Sequence, residues 1–322
     1  MLRKLFLITI ICLVIFSSIF SVSFSFTQEF PQRPIECVVP YSPGGQTDTL
    51  GRAIAEYFEI GQPMVVINMP GAGASLGAME VYNAEPDGYK LLLIAKEAQL
   101  LYYLSGMIPA PTWKEMIPLG ILTFDTDMVT VSKDSPLNSW QDLLDYANEN
   151  PGELTWGSAG TGSSNHVFSE IIFNEFDVDI TYTPYQGNAD ARVAALGGHL
   201  DVLFGTISEA RSLIESGDLK PLLIISNQKS KFLPEVPIIS DYGVDLNLGI
   251  STGLWAPPNT PEEVINKLSV ELKRLVDKKE FVDLVENKLN YEIVWIDSEE
   301  IKETMENEYP LYQEMIKRVL AE

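Results

Sequence analysis

Glycines, serines and threonines are spaced in this chain where backbone N–H groups, more than side chains, would do the chemistry. PYSPGGQTD at 40–48 and GSAGTGSSNH at 157–166 each follow an apolar strand-like run and open a helix-like run. The first N–H groups of a helix have no partner within it and sit at the positive end of its dipole, so each loop is an anion site made from main chain. Gly44 and Gly45 permit a close backbone approach that a Cβ would block, and Thr47 or Asp48 can cap the helix that follows. Gly160, Thr161, Gly162, Ser163 and Ser164 add hydroxyls that rotate to suit an oxygen. Two such loops in different halves of the chain predict one ligand held from two sides.

Other constellations are weaker. Ser164 and His166 suggest a nucleophile and a base, but residues two apart on a helix do not face each other, and no acid is spaced to orient the imidazole. His166 therefore reads as a structural residue near the cleft. Gly71 to Gly77 resembles a loosened dinucleotide fingerprint, with Glu97 at a suitable distance beyond it. It is not the strict G-x-G-x-x-G and follows the second strand of its domain, so it reads as a turn. His166 and His199 lie far apart with no H-x-x-x-H or C-x-x-C, and the many carboxylates fall on helical tails such as EEVINKLSVELKRLVDKKE. No metal, no cofactor and no catalytic set is expected.

The elements that must position these loops follow from composition and pattern. With 322 residues, 46% hydrophobic and 21% charged, the chain has room for two ordinary domains. Residues 1–25 carry Arg3 and Lys4, an apolar run to Phe24 and small residues at Ser21, Ser23 and Ser25, which predicts an export signal. The run is also long enough for an uncleaved anchor. The net charge is −23, and −25 once that segment and its two cations are removed. Such acidity argues against nucleic acid and anionic membrane surfaces as partners. After cleavage only Cys37 remains, so no internal disulfide forms. Strand-like and helix-like runs alternate, the mark of an α/β fold. Strands are expected at 35–40, 64–68, 89–95, 119–124, 128–132, 154–157, 179–184, 202–204, 222–226 and 291–296. Helices are expected at 47–58, 75–83, from the Ser139 cap to Pro151, and at 164–175, 189–196, 208–215, 261–285 and 298–320.

RPIECVVPYSPGGQTDTLGRAIAEYF, GQPMVVINMPGAGASLGAMEVYNAEPDGYKLLL, WGSAGTGSSNHVFSEIIF, YTPYQGNADARVAALGGHLDVLF and STGLWAPPNTPEEVINKL, in this order and spacing, resemble the extracytoplasmic solute receptors of tripartite tricarboxylate transporters, the Bug receptors. The resemblance covers essentially the whole chain after the signal. It implies a two-lobed periplasmic-binding-protein fold of type II topology with the ligand cleft between the lobes. Lobe one would be 30–126 plus 252–322 and lobe two 127–251, with crossings near Asp125 to Met128 and Gly249 to Gly253. It implies capture of a small organic carboxylate, a di- or tricarboxylate or an acidic amino acid, and delivery to membrane transporter subunits by an exported monomer. Proximal carboxylate binding falls on the N–H groups of Gly44, Gly45, Gln46 and Thr47. Asp48 reads as a cap, with an amino or hydroxyl contact as the alternative, and Tyr41 as a cleft wall or core filler.

Ala74 and Ser75 are further donors by resemblance. Tyr185, Gly187 and Asp201 match positions on the far wall, Tyr185 packing on the ligand stem and Asp201 read mainly as a cap or interlobe residue. The chain departs from the family after KLLLIA, where small or neutral residues are usual and Lys96 and Glu97 stand. Lys96 either meets a distal carboxylate or pairs with Glu97. A sensory receptor using the same cleft, and less plausibly an esterase using Ser163 or Ser164, are the rival readings.

Overall fold

Apolar runs bounded by glycine, proline and asparagine become strands, and each glycine loop feeds a helix. The structure is a computed structural model that describes residues 29–159, 162–185 and 187–319. The expected signal at 1–25 lies outside them. From Arg33 onward the chain forms one unit.

The first half alternates β1 (Ile35–Val39), α1 (Gln46–Tyr57), β2 (Met64–Asn68), α2 (Ser75–Tyr82), β3 (Lys90–Ala95), α3 (Lys96–Leu104) and the single turn α4 (Thr112–Glu115). A long strand β4 (Ile117–Ser132) follows. The second half alternates α5 (Trp140–Glu149), β5 (Thr155–Ala159), α6 (Ser164–Glu175), β6 (Thr181–Tyr185), α7 (Asn188–Leu196), β7 (Val202–Thr206), α8 (Ile207–Glu215) and β8 (Leu219–Ile224). The chain then returns through β9 (Gly249–Ala256) to α9 (Glu262–Val276), α10 (Lys279–Asn287), β10 (Glu292–Ile296) and α11 (Ser298–Val319).

The strand order β2-β1-β3-β9-β4 in the first half-sheet is repeated in the second as β6-β5-β7-β4, with β10 and β8 paired to β4 at the ends. In each half the first three strands are parallel, and the long strands join antiparallel. β4 belongs to both. Its residues through Thr126 pair with β9, and from Asp127 it pairs with β7. The β4–β9 seam depends on glycine at a close approach: a Cβ on Gly253 would lie 2.3 Å from the Gly120 carbonyl oxygen.

Three expectations are corrected. The strands expected at 119–124 and 128–132 are one strand, because Asp125 and Asp127 interrupt the apolar pattern without breaking the ladder; Asp127 N–H donates to Leu248 O at 3.0 Å. Lys96 to Leu104 is a helix that the pattern did not announce, since it is buried along most of its length and shows little polar alternation. The helix expected over 261–285 is two helices that break at Asp277 and Lys278. Ser139 caps α5 as expected, its Oγ accepting from Asp142 N at 3.0 Å. Trp140, Trp156, Trp255, Phe168 and Phe204 are fully enclosed, each stabilising by about 2–3 kcal/mol through the area it removes from water.

Candidate ligand-binding site

The parallel strands of both half-sheets end in helix starts on the same side, where open α/β sheets hold their ligands. A cavity of about 240 Å³ lies there, lined by Gln46 and Thr47 at the start of α1, by Ser163, Ser164 and Asn165 at the start of α6, and by Asn188, Thr206 and Glu209 at the starts of α7 and α8. Asp125 of β4, Ile250 and Thr252 of β9, Ala95 and Ala98, and the rings of Tyr41, Tyr102 and Tyr291 close it. An adjoining space of about 500 Å³ is lined by Gly44, Gly45, Ala189, Arg192 and Ser208.

The first loop is shaped from beneath. Gly44 has φ +82°, a left-handed conformation that costs glycine little. Its N–H donates to Asp48 Oδ2 at 2.8 Å, while Asn68 Nδ2 at 2.9 Å and Arg52 Nε at 3.0 Å complete the carboxylate's shell. Burial opposes ionisation of Asp48, but the bonds from Arg52, Gly44 and Asn68 outweigh it and hold the carboxyl below its ordinary range. Asp48 is thus enclosed and fully engaged in holding the loop's shape; it does not cap the helix, whose N-cap Gly45 receives no side-chain bond, and it does not line the cavity. Gly45 is the N-cap of α1, and its carbonyl takes the first helical bond, from Thr49 N at 3.0 Å. The N–H groups of Gln46 and Thr47 precede that bond. The Gln46 side chain reaches the other half of the chain, donating from Nε2 to Ser208 Oγ at 2.7 Å.

The second loop is shaped by its own helix. Ser163 is the N-cap, its Oγ accepting from His166 N at 3.3 Å. Gly162 N–H donates to His166 Nδ1 at 3.0 Å, which places the neutral ring's proton on Nε2. His166 stacks on Tyr182 with centroids 3.9 Å apart, and burial lowers its pKa to about 4. A ring so held is a loop clamp, not a base for Ser163 or Ser164. Gly160 and Thr161 lie outside the described residues.

Several expected contacts fall elsewhere. The Lys96 ammonium, 6% exposed, lies 3.0 Å from Glu97 Oε1 and 2.6 Å from Glu308 Oε2 on α11. Burial alone would lower its pKa, but the two carboxylates raise it. Glu97 Oε2 in turn accepts from Ser251 N at 2.9 Å. Lys96 is therefore neutralised inside the protein, which removes the proposed distal contact. Ser75 N–H is used by Ala72 O at 3.1 Å, and Ala74, left-handed at φ 69°, only caps α2. Tyr185 packs against Gly157, where an added Cβ would meet its ring at 2.8 Å. Gly187 caps α7 and leaves the cavity wall to Asn188. Asp201 accepts from Thr155 N at 2.9 Å and Thr155 Oγ1 at 2.7 Å, at the opposite end of β5 from the loop.

Sequence reasoning missed the acids. Asp125 accepts from Ser208 N at 3.0 Å and from Ser208 Oγ, and burial pushes its pKa up to about 7 against the Ser208 and Thr206 hydrogen bonds. Asp127, fully enclosed, accepts at Oδ1 from Asn165 Nδ2 at 3.2 Å; burial, then Asp125, Glu209 and Glu97, raise it well above a normal carboxyl. Glu209 accepts from Asn188 Nδ2 at 2.8 Å and is raised by burial. The available signals were two acids inside the apolar run ILTFDTDMVTV, and one acid in the first turn after VLFGT.

Comparison with known proteins gives the family and the fold. The sequence profile described as tripartite tricarboxylate transporter family receptor matches residues 52–320. The UPF0065 protein in the gbd 5′ region of Cupriavidus necator is 33% identical over 251 residues, 77% of this chain and 76% of its own length. The periplasmic binding protein BugD superposes with a TM-score of 0.77 at 27% identity, covering 90% of this chain and 98% of its own. MatC from Rhodopseudomonas palustris with bound malate superposes at 0.75 with 26% identity, covering 89% of this chain and all 100% of its own. A profile spanning most of the chain and neighbours of the same architecture make this a two-lobed periplasmic-binding-protein fold that captures solutes and carries out no reaction: the chain belongs to the tripartite tricarboxylate transporter receptor family, as a Bug-type extracytoplasmic solute receptor.

Proposed function

We propose that this receptor captures a small organic carboxylate between the starts of α1 and α6 and delivers it to the membrane subunits of a tripartite tricarboxylate-type transporter. One observation carries the reading: Gln46 and Thr47, and Ser163 and Ser164, from loops far apart in sequence, line one cavity. Helix-start N–H groups on two sides suit carboxylate oxygens, and fixed dipoles at short range outweigh the chain's distant, screened negative charge. The malate bound by MatC supports the ligand class.

Lobe one is taken as 30–126 with 252–322 and lobe two as 127–251. Closure would turn about Asp125 to Met128 and Gly249 to Gly253, with the Gln46–Ser208 bond spanning the lobes so defined. The closed pair of lobes is the form the transporter would recognise.

A thermal-shift series on the chain from Phe26 against mono-, di- and tricarboxylates and their amides tests this. A ligand at 100 times its Kd adds about 2.7 kcal/mol of stability. Stabilisation by a carboxylate and none by its amide is expected; stabilisation by neutral analogues alone would sink the reading.

A further inference from the structure

The cavity contains the means to hold an anion and, against them, a surplus of carboxyl groups. Asp125 and Glu209 line it, and among the described residues no lysine, arginine or histidine does. The donors to Asp125 are the Ser208 N–H and hydroxyl and the Thr206 hydroxyl, all neutral. Glu209 faces Asn188 and, toward the adjoining space, Arg192. Two residues along β4 from Asp125, and so on the same face of the strand, Asp127 lies behind Asn165. Asp127 is 0% exposed, and its Oδ2 has no hydrogen-bond partner. Glu97 and Glu308 add two more carboxylates but already share Lys96. Five acids therefore meet two cations, and neither cation lines the cavity itself.

A purely anionic ligand would bring further negative charge beside buried carboxylates. Like charges that close in a poorly solvated site force a proton onto one of them or exclude the ligand. An ammonium removes the conflict, and it supplies donors to Asp125, whose partners within the protein are all neutral.

Resting on the carboxylate reading above, we infer that the ligand is an aminocarboxylate of net charge zero or above, its carboxylate on the starts of α1 and α6 and its ammonium received by Asp125 and Glu209. About 240 Å³ is room for roughly eight heavy atoms at the volume of liquid water, the size of a small amino acid. Asp125 titrating near neutrality belongs to the same picture, since the ammonium would hold it ionised.

The test is isothermal titration at pH 7.5 with matched probes: leucine, glutamine and 4-aminobutyrate, each beside its des-amino acid and its carboxamide, together with malate and glutarate. Every probe is measured in two buffers of different ionisation enthalpy. The expected result is that at least one aminocarboxylate binds about thirtyfold or more tightly than its des-amino partner, without net proton uptake. Asp125→Asn and Glu209→Gln should then weaken that probe by a similar factor and narrow the gap to the des-amino acid. Unliganded melting temperatures would check that both variants are folded.

Tighter binding of malate, glutarate or a des-amino acid, with uptake of a proton, would overturn the ammonium site while leaving the carboxylate receptor intact. Equal binding of an amino acid and its carboxamide would support the ammonium site and remove the carboxylate reading. No binding across the panel would end both.

Discussion

At the scale of single residues, the two loops are held by groups that do not line the cavity. Asp48 ties Gly44 to Arg52 and Asn68, and His166 ties Gly162 to its own helix. Asp48→Ala would leave the part-buried Gly44 N–H without its acceptor and Asn68 with only the Tyr41 carbonyl, so a loss of about 1–2 kcal/mol is expected in urea unfolding. His166→Ala should loosen the second loop and weaken ligand binding severalfold. His166→Asn keeps an acceptor near the Nδ1 position and should retain most of the affinity, as titration with the stabilising ligand would check. Equal loss in both variants would mean the ring stack, and not the Gly162 bond, sets the loop. The loops themselves were legible from glycine and hydroxyl spacing. The acids of the cavity were not, because a carboxylate inside a strand declares its surroundings only once its neighbours are known.

Between elements, two contacts decide the architecture. β4 and β9 approach closely at Gly253, whose added Cβ would overlap the Gly120 oxygen. Gly253→Ala must push the strands apart at their central pairing, and a loss of at least about 2–3 kcal/mol is expected by chemical denaturation. α11 is tied to α3 through Lys96 and Glu308. Lys96→Met should cost on the order of 3 kcal/mol, because it leaves the buried Glu97 and the half-buried Glu308 without their shared cation. If ligand affinity per folded molecule is unchanged in that variant, the lysine is structural; selective loss of affinity would return it to the site. Strand and helix periodicity located most of these elements. It missed α3 and divided β4, since buried polar residues interrupt a pattern that assumes an apolar interior.

For the whole molecule, buried groups of opposite sign shape stability against pH. Asp125 has its pKa raised from an ordinary 3.8 to about 7, so its contribution is fully present below the unfolded value and is lost as pH rises through about 7. His166 has its pKa lowered from 6.5 to about 4, so its contribution is present above the unfolded value and is lost as pH falls toward 4. Each amounts to something on the order of 3 kcal/mol, and between pH 4 and 7 they oppose one another. Asp125→Asn should therefore tilt the melting-temperature profile from pH 4 to 7 toward a rise, and His166→Asn should tilt it toward a fall. Two unchanged profiles would show that these groups titrate alike in the folded and unfolded chains.

The sequence by itself determined the alternation of strands and helices, the two glycine loops with their helix starts, and the family to which they belong. These are local facts, written in periodicity, in residues without a Cβ and in the order of motifs along the chain. Only the tertiary structure decided that the two helix starts share one cavity, that Lys96 is consumed by Glu97 and Glu308, that Ser75, Tyr185 and Asp201 serve the scaffold, and that Asp125, Asp127 and Glu209 gather at or behind the cavity wall. The physical reason is that burial and pairing set what a charged side chain does, and both depend on residues that are distant in sequence and adjacent in space.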